Sequence, residues 1–377
     1  MPSPLGLSFL WVFFIQGLIA ATAAGVADIE RLIPWEGPES LLEPSEPYDE
    51  AVALHMLLYS SIAYMRKDHV EEWNFEVRGH NAYCGQETQG FNLMKAYYSP
   101  TEDGFGYMGI DHGEQRIVVA FRGTTTKEDW LENLAGGLHY TPSCLMPESP
   151  FGVAPGATDF GNVHRGFCYK YQYVADQGLP DDVYNLHLEY PDYKIYVTGH
   201  SLGAALASLC ATDLGLRYGI DRDTLLMYNY GGPRLGDPSF VRLLNAHVGT
   251  VYRVVHAGDV VVHAAPCCVE SESIFLSLVD LMQPNPFPCS LLTFAIPVRE
   301  KTCPWETFCP IHTSTEVFYP VNMEVGAEHH ICSTHTGEDP SCSYSKRDLL
   351  DLSIDDHVFY FERRVGRYCK GWLVPDE

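Results

Sequence analysis

A serine set between two glycines, Gly199-His200-Ser201-Leu202-Gly203, is where residue types and spacing in this chain most directly specify chemistry. The pentapeptide fits the G-x-S-x-G pattern of a nucleophile elbow, a sharp strand-to-helix turn whose glycines let backbone pass close to the serine without a Cβ clash. Strain in such a turn holds the hydroxyl out toward a substrate. The backbone N–H of Leu202, at the start of the following helix, then points to the place where an attacked carbonyl oxygen turns negative. A Gly/Ser turn of this length also arises by chance, so its flanks decide the reading. They agree with it: Tyr193, Ile195, Tyr196 and Val197 make a strand-length β-branched and aromatic run, and Ala204, Ala205, Leu206, Leu209 and Ala211 continue at helical composition.

A serine hydroxyl attacks only when a neutral imidazole takes its proton, and the imidazole needs a carboxylate to hold its tautomer. With this elbow the two partners are expected after the serine, acid first. Asp259 follows the apolar run Val251 to Val255, just past the carboxyl end of a predicted strand and so on the ligand side of an open α/β sheet. Asp237 also follows a strand, but at a greater distance and beside Pro238, which suits a turn. The histidine is harder to choose among 16. His357, in LSIDDHVFYF, stands where a loop ending in two acids enters an aromatic helix start, and it is the preferred base. His263, His312, His329, His330 and His335 also follow Asp259 and stay open as alternatives.

Upstream, Ile117 to Phe121 reads as a fully apolar strand that stops at Arg122-Gly123-Thr124. A threonine there can offer its backbone N–H and its hydroxyl to one acceptor, so Thr124 and Leu202 form the candidate oxyanion pair. Lys127 to Leu134 then reads as a short helix with Trp130, Leu131 and Leu134 on one face, between Gly123 and Gly136-Gly137 as hinges. Such a piece suits a lid that an oily surface opens, and an ordinary surface helix with a half-buried Trp130 is the plainer alternative.

The elements around these residues follow from pattern. Asp49 to Met65 predicts an amphipathic packing helix, Gly79 to Gly90 a loop, Phe91 to Tyr98 a strand and Val163 to Leu188 mostly helix. Leu225 to Tyr230 predicts a buried strand and Ser239 to His247 a short helix. The length of 377 residues suits one large α/β domain with room for an insertion, and 46% apolar content argues against disorder.

Residues 5–24 form a long apolar run ending in small residues, so residues 1–24 predict a cleaved secretory signal, although no Lys or Arg precedes the run and an uncleaved anchor is the alternative. Residues 25–48, rich in Pro and Glu, read as an N-terminal arm or pro-segment, and residues 49–377 as the catalytic domain. All 12 cysteines lie beyond the signal, without C-x-x-C or zinc-type spacing, which predicts disulfides in an oxidising compartment and no metal site. A net charge of −25 argues against nucleic acid and against electrostatic attraction to anionic membranes. The chain has no N-x-S/T sequon, and its end, WLVPDE, carries no retention signal, so an extracellular location is expected.

Taken together and in order, FRGTTTKEDWLENL, VHRGF, VTGHSLGAALA, YNYGGPRLGD, VVHAGDVV, TEVFYP and DDHVFYF make a specific set, spread over roughly residues 50–370. On these motifs the chain resembles the class 3 lipases, the secreted fungal triacylglycerol lipases and their animal and plant relatives. The resemblance implies an α/β-hydrolase fold with a mostly parallel central sheet flanked by helices. It also implies hydrolysis of carboxylic esters with Ser201 as nucleophile, Asp259 as acid and His357 as base. Thr124 and Leu202 match the oxyanion positions, Trp130 the lid tryptophan, and Cys332 with Cys342 the small disulfide loop before the final helix. The expected partners are a lipid ester and the lipid–water interface, with no cofactor, no nucleic acid and no required protein partner.

Two departures stand out. The family disulfide between the first helix and the tail would need a cysteine where this chain has Tyr64-Met65-Arg66, which leaves Cys369 without its obvious partner. Pro266 to His312 forms an insertion with five cysteines, Cys267, Cys268, Cys289, Cys303 and Cys309, expected on the rim of the active site. The resulting expectation is a secreted serine ester hydrolase acting on acylglycerols, first of all triacylglycerol, through an acyl-enzyme. The alternative is a secreted lipid-binding protein that keeps the fold without turnover.

Overall fold

Among the described residues, eight strands join one sheet whose spatial order follows the chain: β1 (Phe91–Tyr98), β2 (Phe105–Asp111), β3 (Arg116–Phe121), β4 (Lys194–His200), β5 (Leu225–Tyr230), β6 (Thr250–His256), β7 (Glu316–Tyr319) and β8 (His330–Ile331). The computed structural model describes residues 43–73, 76–77, 80–81, 83–98, 104–124, 140–142, 144–145, 160–263, 310–313, 315–334, 337–346 and 351–370. Strands β1 to β3 run antiparallel, β3 to β7 are joined in parallel, and β8 closes the edge antiparallel. The central strands are buried along their whole length in β5 and β6, as a parallel sheet covered on both faces requires. That burial is why their sequences, LLMYNY and TVYRVVH, read as near-continuous apolar runs.

Helices cover the two faces unequally. The connections between parallel strands carry α2 (Arg165–Ala175), α3 (Leu179–Glu189), α4 (Leu202–Tyr218) and α5 (Pro238–His247), which pack over Ile117, Val119, Ile195, Val197, Met227 and Val251. An unbroken strand order puts same-handed crossovers on one face, so the other face needs a different cover. That cover is α1 (Glu50–Ile62) with the chain's tail, against Val118, Ala120, Tyr196, Tyr228, Tyr252 and Val254. The two sets alternate along each strand because successive side chains point to opposite faces. Helix α4 lies between the sheet and its neighbours and is buried from Leu202 to Leu216, which accounts for its mostly small and apolar composition; the one buried acid, Asp213, is paired with Arg217.

Several expectations are refined. Asp49 caps α1 by accepting from the N–H groups of Ala51 and Val52, and Asp237 caps α5 by accepting from Phe240, the turn role read for it. The helix expected over Val163 to Leu188 is two helices, and Val163 itself belongs to a short strand, Asn162–His164. The loop expected over Gly79 to Gly90 contains a helix, Tyr83–Glu87. Strand β2 is absent from the reading of the sequence because its glycines lower strand propensity; Gly109 is needed there, since a Cβ would run into the ring of Phe91 and the carbonyl of Asn92. The arm expected over residues 25–48 ends on the domain: Glu46 N–H donates to Thr250 Oγ1 at 3.1 Å and Tyr48 packs edge-on against Tyr252.

Disulfides join Cys84 to Cys369, Cys144 to Cys168 and Cys332 to Cys342. The last is the pair that the family resemblance implied. The first corrects the expectation for Cys369: the tail is tied to the helix Tyr83–Glu87 that lies beside α1, where His55 Nε2 donates to Glu87 O at 2.8 Å.

Candidate active site

Ser201 is the one residue between β4 and α4, and its backbone, at φ 61° and ψ −129°, lies in a region that non-glycine residues avoid. A strain on the order of 1–3 kcal/mol persists at such a residue only if its surroundings hold it. Here they do: Ser201 N–H donates to Tyr230 O at 2.9 Å, and Ala204 N–H donates to Ser201 O at 3.0 Å. A Cβ on Gly199 would run into the carbonyl of Gly203, and one on Gly203 into the carbonyl of Phe121. The two glycines are therefore the condition for helix α4 to start this close to β3 and β4.

Strand β3 runs parallel to β4 with Phe121 opposite Gly199, so Arg122-Gly123-Thr124 leaves the sheet alongside the elbow. The approach is close enough that a Cβ on Gly123 would come within 2.6 Å of His200 O. Thr124, partly exposed, follows directly. This brings the two predicted oxyanion residues to one place, Thr124 at the end of β3 and Leu202 at the first turn of α4.

Asp259 closes a tight turn after β6, with its N–H donating to His256 O at 3.0 Å, and its side chain is fully buried. His357 comes from a short helix, α6 (Ile354–Val358), capped by Ser353 and stitched to the acid turn. Ser353 N–H donates to Gly258 O at 2.7 Å, and Gly258 N–H donates to Asp356 Oδ2 at 2.9 Å. The two acids read as a loop end are thus the first turn of the helix, and one of them anchors it. His357 Nδ1 lies 2.9 Å from Asp259 Oδ1 and 3.0 Å from Oδ2. Tyr360 donates to Oδ2 at 2.6 Å and Val261 N–H to Oδ1 at 2.8 Å. Burial alone would raise the Asp259 carboxyl, but the facing imidazole and these donors outweigh it and hold the group below the ordinary carboxylate range.

His200 connects this pair to the serine. Its Nε2 donates to His357 O at 2.7 Å and its ring stacks on the His357 ring at 4.5 Å between centroids. Burial, and then the neighbouring His357, push His200 down to about 3, so it stays neutral. With Nε2 facing a carbonyl, which only accepts, Nδ1 is left as the acceptor for Tyr64 Oη at 2.9 Å. The chain neighbours Ser201 and His200 therefore bind Tyr230 and His357 respectively, and the elbow and the histidine helix meet.

Ser201, Asp259 and His357 gather at the carboxyl ends of the parallel strands. The other histidines go elsewhere: His312 Nε2 donates to Val262 O at 2.7 Å, His263 ends a 3-10 turn, His329 packs edge-on against Tyr48 and tilted against Tyr319, and His330 is on edge strand β8. His335 lies outside the described residues, as do Trp130 with the helix expected around it and residues 266–309 of the expected insertion.

A family model described as Lipase (class 3) matches residues 118–269. A lipase of Caenorhabditis elegans is 33% identical over 278 residues, which are 72% of this chain and 68% of that one. The chain belongs to the class 3 lipase family. A lipase of Rhizomucor miehei is 33% identical over 181 residues, 48% of this chain and 46% of the other. The solved structure of the Rhizomucor miehei triacylglyceride lipase superposes with a TM-score of 0.60 at 23% identity, over 87% of this chain and 99% of that one. That likeness shows the fold, which is the α/β-hydrolase fold. As a class 3 lipase the protein is a carboxylic ester hydrolase.

Three residues of this class 3 lipase's site went unread in the sequence. Tyr360 follows His357 by three positions, but one aromatic in VFYF looks like another. His200 sits inside the elbow motif at a position the motif leaves open. Tyr64 falls where the family cysteine was expected, and only the folded chain shows that it reaches His200. None of the three has a composition signal, because each is placed by directed hydrogen bonds to residues far along the chain.

Proposed function

We propose that this class 3 lipase hydrolyses acylglycerol esters, triacylglycerol first, by nucleophilic catalysis at Ser201. His357 takes the Ser201 proton as the hydroxyl attacks the ester carbonyl, and then gives it to the leaving alcohol. Asp259 stays ionised, holds the imidazole with its proton on Nδ1 and stabilises the imidazolium formed in each half-reaction. Thr124, through N–H and hydroxyl, and Leu202, through N–H, receive the oxyanion, and water then resolves the acyl-enzyme along the same path. One observation carries the reading: the buried Asp259 carboxylate faces His357 Nδ1 at 2.9 Å while His200, next to the strained Ser201, holds the same His357 by its carbonyl at 2.7 Å. The apolar run of the expected signal at residues 1–24 and the disulfides among the described residues support secretion, and the residue types around Trp130 support its role as a lid over the acyl site. The triacylglycerol preference rests on likeness to the Rhizomucor miehei enzyme.

The test is covalent. A fluorophosphonate ester should label the protein at Ser201, mapped by peptide mass spectrometry, and the label should block release of p-nitrophenol from a short-chain ester. Ser201→Ala should abolish both while the protein remains folded, with kcat down by roughly a factor of 10⁴ or more. A protein that neither labels nor turns over any emulsified acylglycerol would be a lipid binder on a hydrolase fold.

A further inference from the structure

The turn that carries Asp259 is held from outside by a buried polar chain with no part in the reaction just described. Val261 N–H donates to Asp259 Oδ1 at 2.8 Å, so the aim of the carboxylate depends on the conformation of the 3-10 turn Val261–His263. The next two carbonyls of that turn are each engaged by a distant side chain: His312 Nε2 donates to Val262 O at 2.7 Å, and Arg234 Nη1 approaches His263 O at 3.4 Å. Glu338 joins these two. It takes Arg234 Nε at 2.8 Å and Nη2 at 2.7 Å in a two-pronged pair, and it accepts the His312 N–H at 3.0 Å through Oε1.

Three separate segments therefore converge on one turn: the loop after β5, which carries Arg234; the stretch before β7, which carries His312; and the stretch after β8, which carries Glu338. Arg234 and His312 are buried. Burial, with Arg253 nearby, pushes His312 well below its ordinary value, so the ring is neutral and its Nε2 proton is fixed by the carbonyl it faces. Apolar packing could fill this space, and a buried ion pair is weak evidence for stability. What directed bonds add is orientation: with the carbonyls of Val262 and His263 turned outward to donors, the Val261 N–H is left turned inward to the carboxylate.

We propose that His312, Arg234 and Glu338 are positioning residues for Asp259, fixing the turn so that its carboxylate stays aimed at His357. The proposal rests on Asp259 being the acid of the reaction. Its test measures kcat and KM on a soluble short-chain p-nitrophenyl ester for the full-length His312→Phe, His312→Gln and Asp259→Asn proteins, each checked for folding by circular dichroism. His312→Phe keeps the ring and removes the donor, and kcat should fall between about tenfold and hundredfold with KM within about twofold, as for a small misplacement of a reacting group. His312→Gln puts an amide N–H close to where Nε2 stood and should recover kcat to within about threefold of the parent.

If His312→Phe keeps kcat within about threefold while Asp259→Asn is inactive, the positioning role is overturned and the acid assignment stands. If Asp259→Asn itself stays active, the reading of the site fails first. Should His312→Phe not fold, Arg234→Lys decides: it keeps the charge beside Glu338 but cannot reach Glu338 and His263 O together. An unchanged kcat there overturns the proposal, and a lower kcat at constant KM supports it.

Discussion

Tyr64 and His200, 136 residues apart, share a 2.9 Å hydrogen bond that links the two halves of the site. The Tyr64 hydroxyl also lies against Gly123, one residue before Thr124, where a Cβ would run into it, while His200 holds the carbonyl of His357. One phenol at the end of α1 thereby joins the oxyanion segment to the segment of the proposed base.

Tyr64→Phe should separate these halves without emptying the space. His200 Nδ1 would lose its donor, at a cost of about 1–3 kcal/mol in stability for a buried group left unpaired. Because His200 also sets the His357 carbonyl, kcat on a short-chain ester should drop roughly tenfold with KM little changed. A lower Tm with an unchanged kcat would reduce Tyr64 to a packing role.

Tyr360→Phe should show in the pH dependence of unfolding. The Asp259 carboxyl is depressed in the folded state, so it contributes stability that is present above its unfolded value, about 4, and lost as pH falls through the folded value. Removing the Tyr360 donor raises the folded value toward the unfolded one. At pH 7 the variant should be less stable by about 1.5–3 kcal/mol, typical of a hydrogen bond to a charged group. Urea unfolding at pH 7 and pH 3 should show that gap narrowing on acidification, and a constant gap would mean that Tyr360 does not act through the Asp259 charge.

Cys84→Ser with Cys369→Ser should loosen the tail that carries His357. The bridge spans 285 residues of sequence, and closing a loop of this size in the unfolded chain corresponds to about 5–6 kcal/mol. At about 2–4 °C per kcal/mol for a domain of this class, Tm should fall on the order of 10 °C. Arg363, paired with Glu87 at 2.8 Å, ties the same two segments, so activity at room temperature should survive better than activity near the new Tm. A Tm within about 2 °C of the parent would show that packing alone secures the tail.

The elbow, strands β3 to β6 and helices α1 and α4 were legible because each is encoded within a dozen neighbouring residues, by a period, a cap or a glycine pair. Asp259 was legible for the same reason, since its place follows from the strand before it. Strand β2 was not, because its glycines make sense only against the ring of Phe91 across the sheet. The local sequence favoured His357 among several histidines, and the likeness to a family strengthened that preference. No local pattern states which ring arrives at a carboxylate 98 residues away, and the structure brings His357 there while sending His312 to the carbonyl of Val262. The partner of Cys369, the bond from Tyr64 to His200 and the bond from Tyr360 to Asp259 lie further still from sequence reading. The sequence by itself determined which residues could do chemistry and which elements would carry them, because hydrophobic period and turn chemistry act over a few residues. Only the tertiary structure decided which side chains meet, because a hydrogen bond or a disulfide requires two atoms to arrive within a few tenths of an ångström after the chain has closed loops of a hundred residues or more.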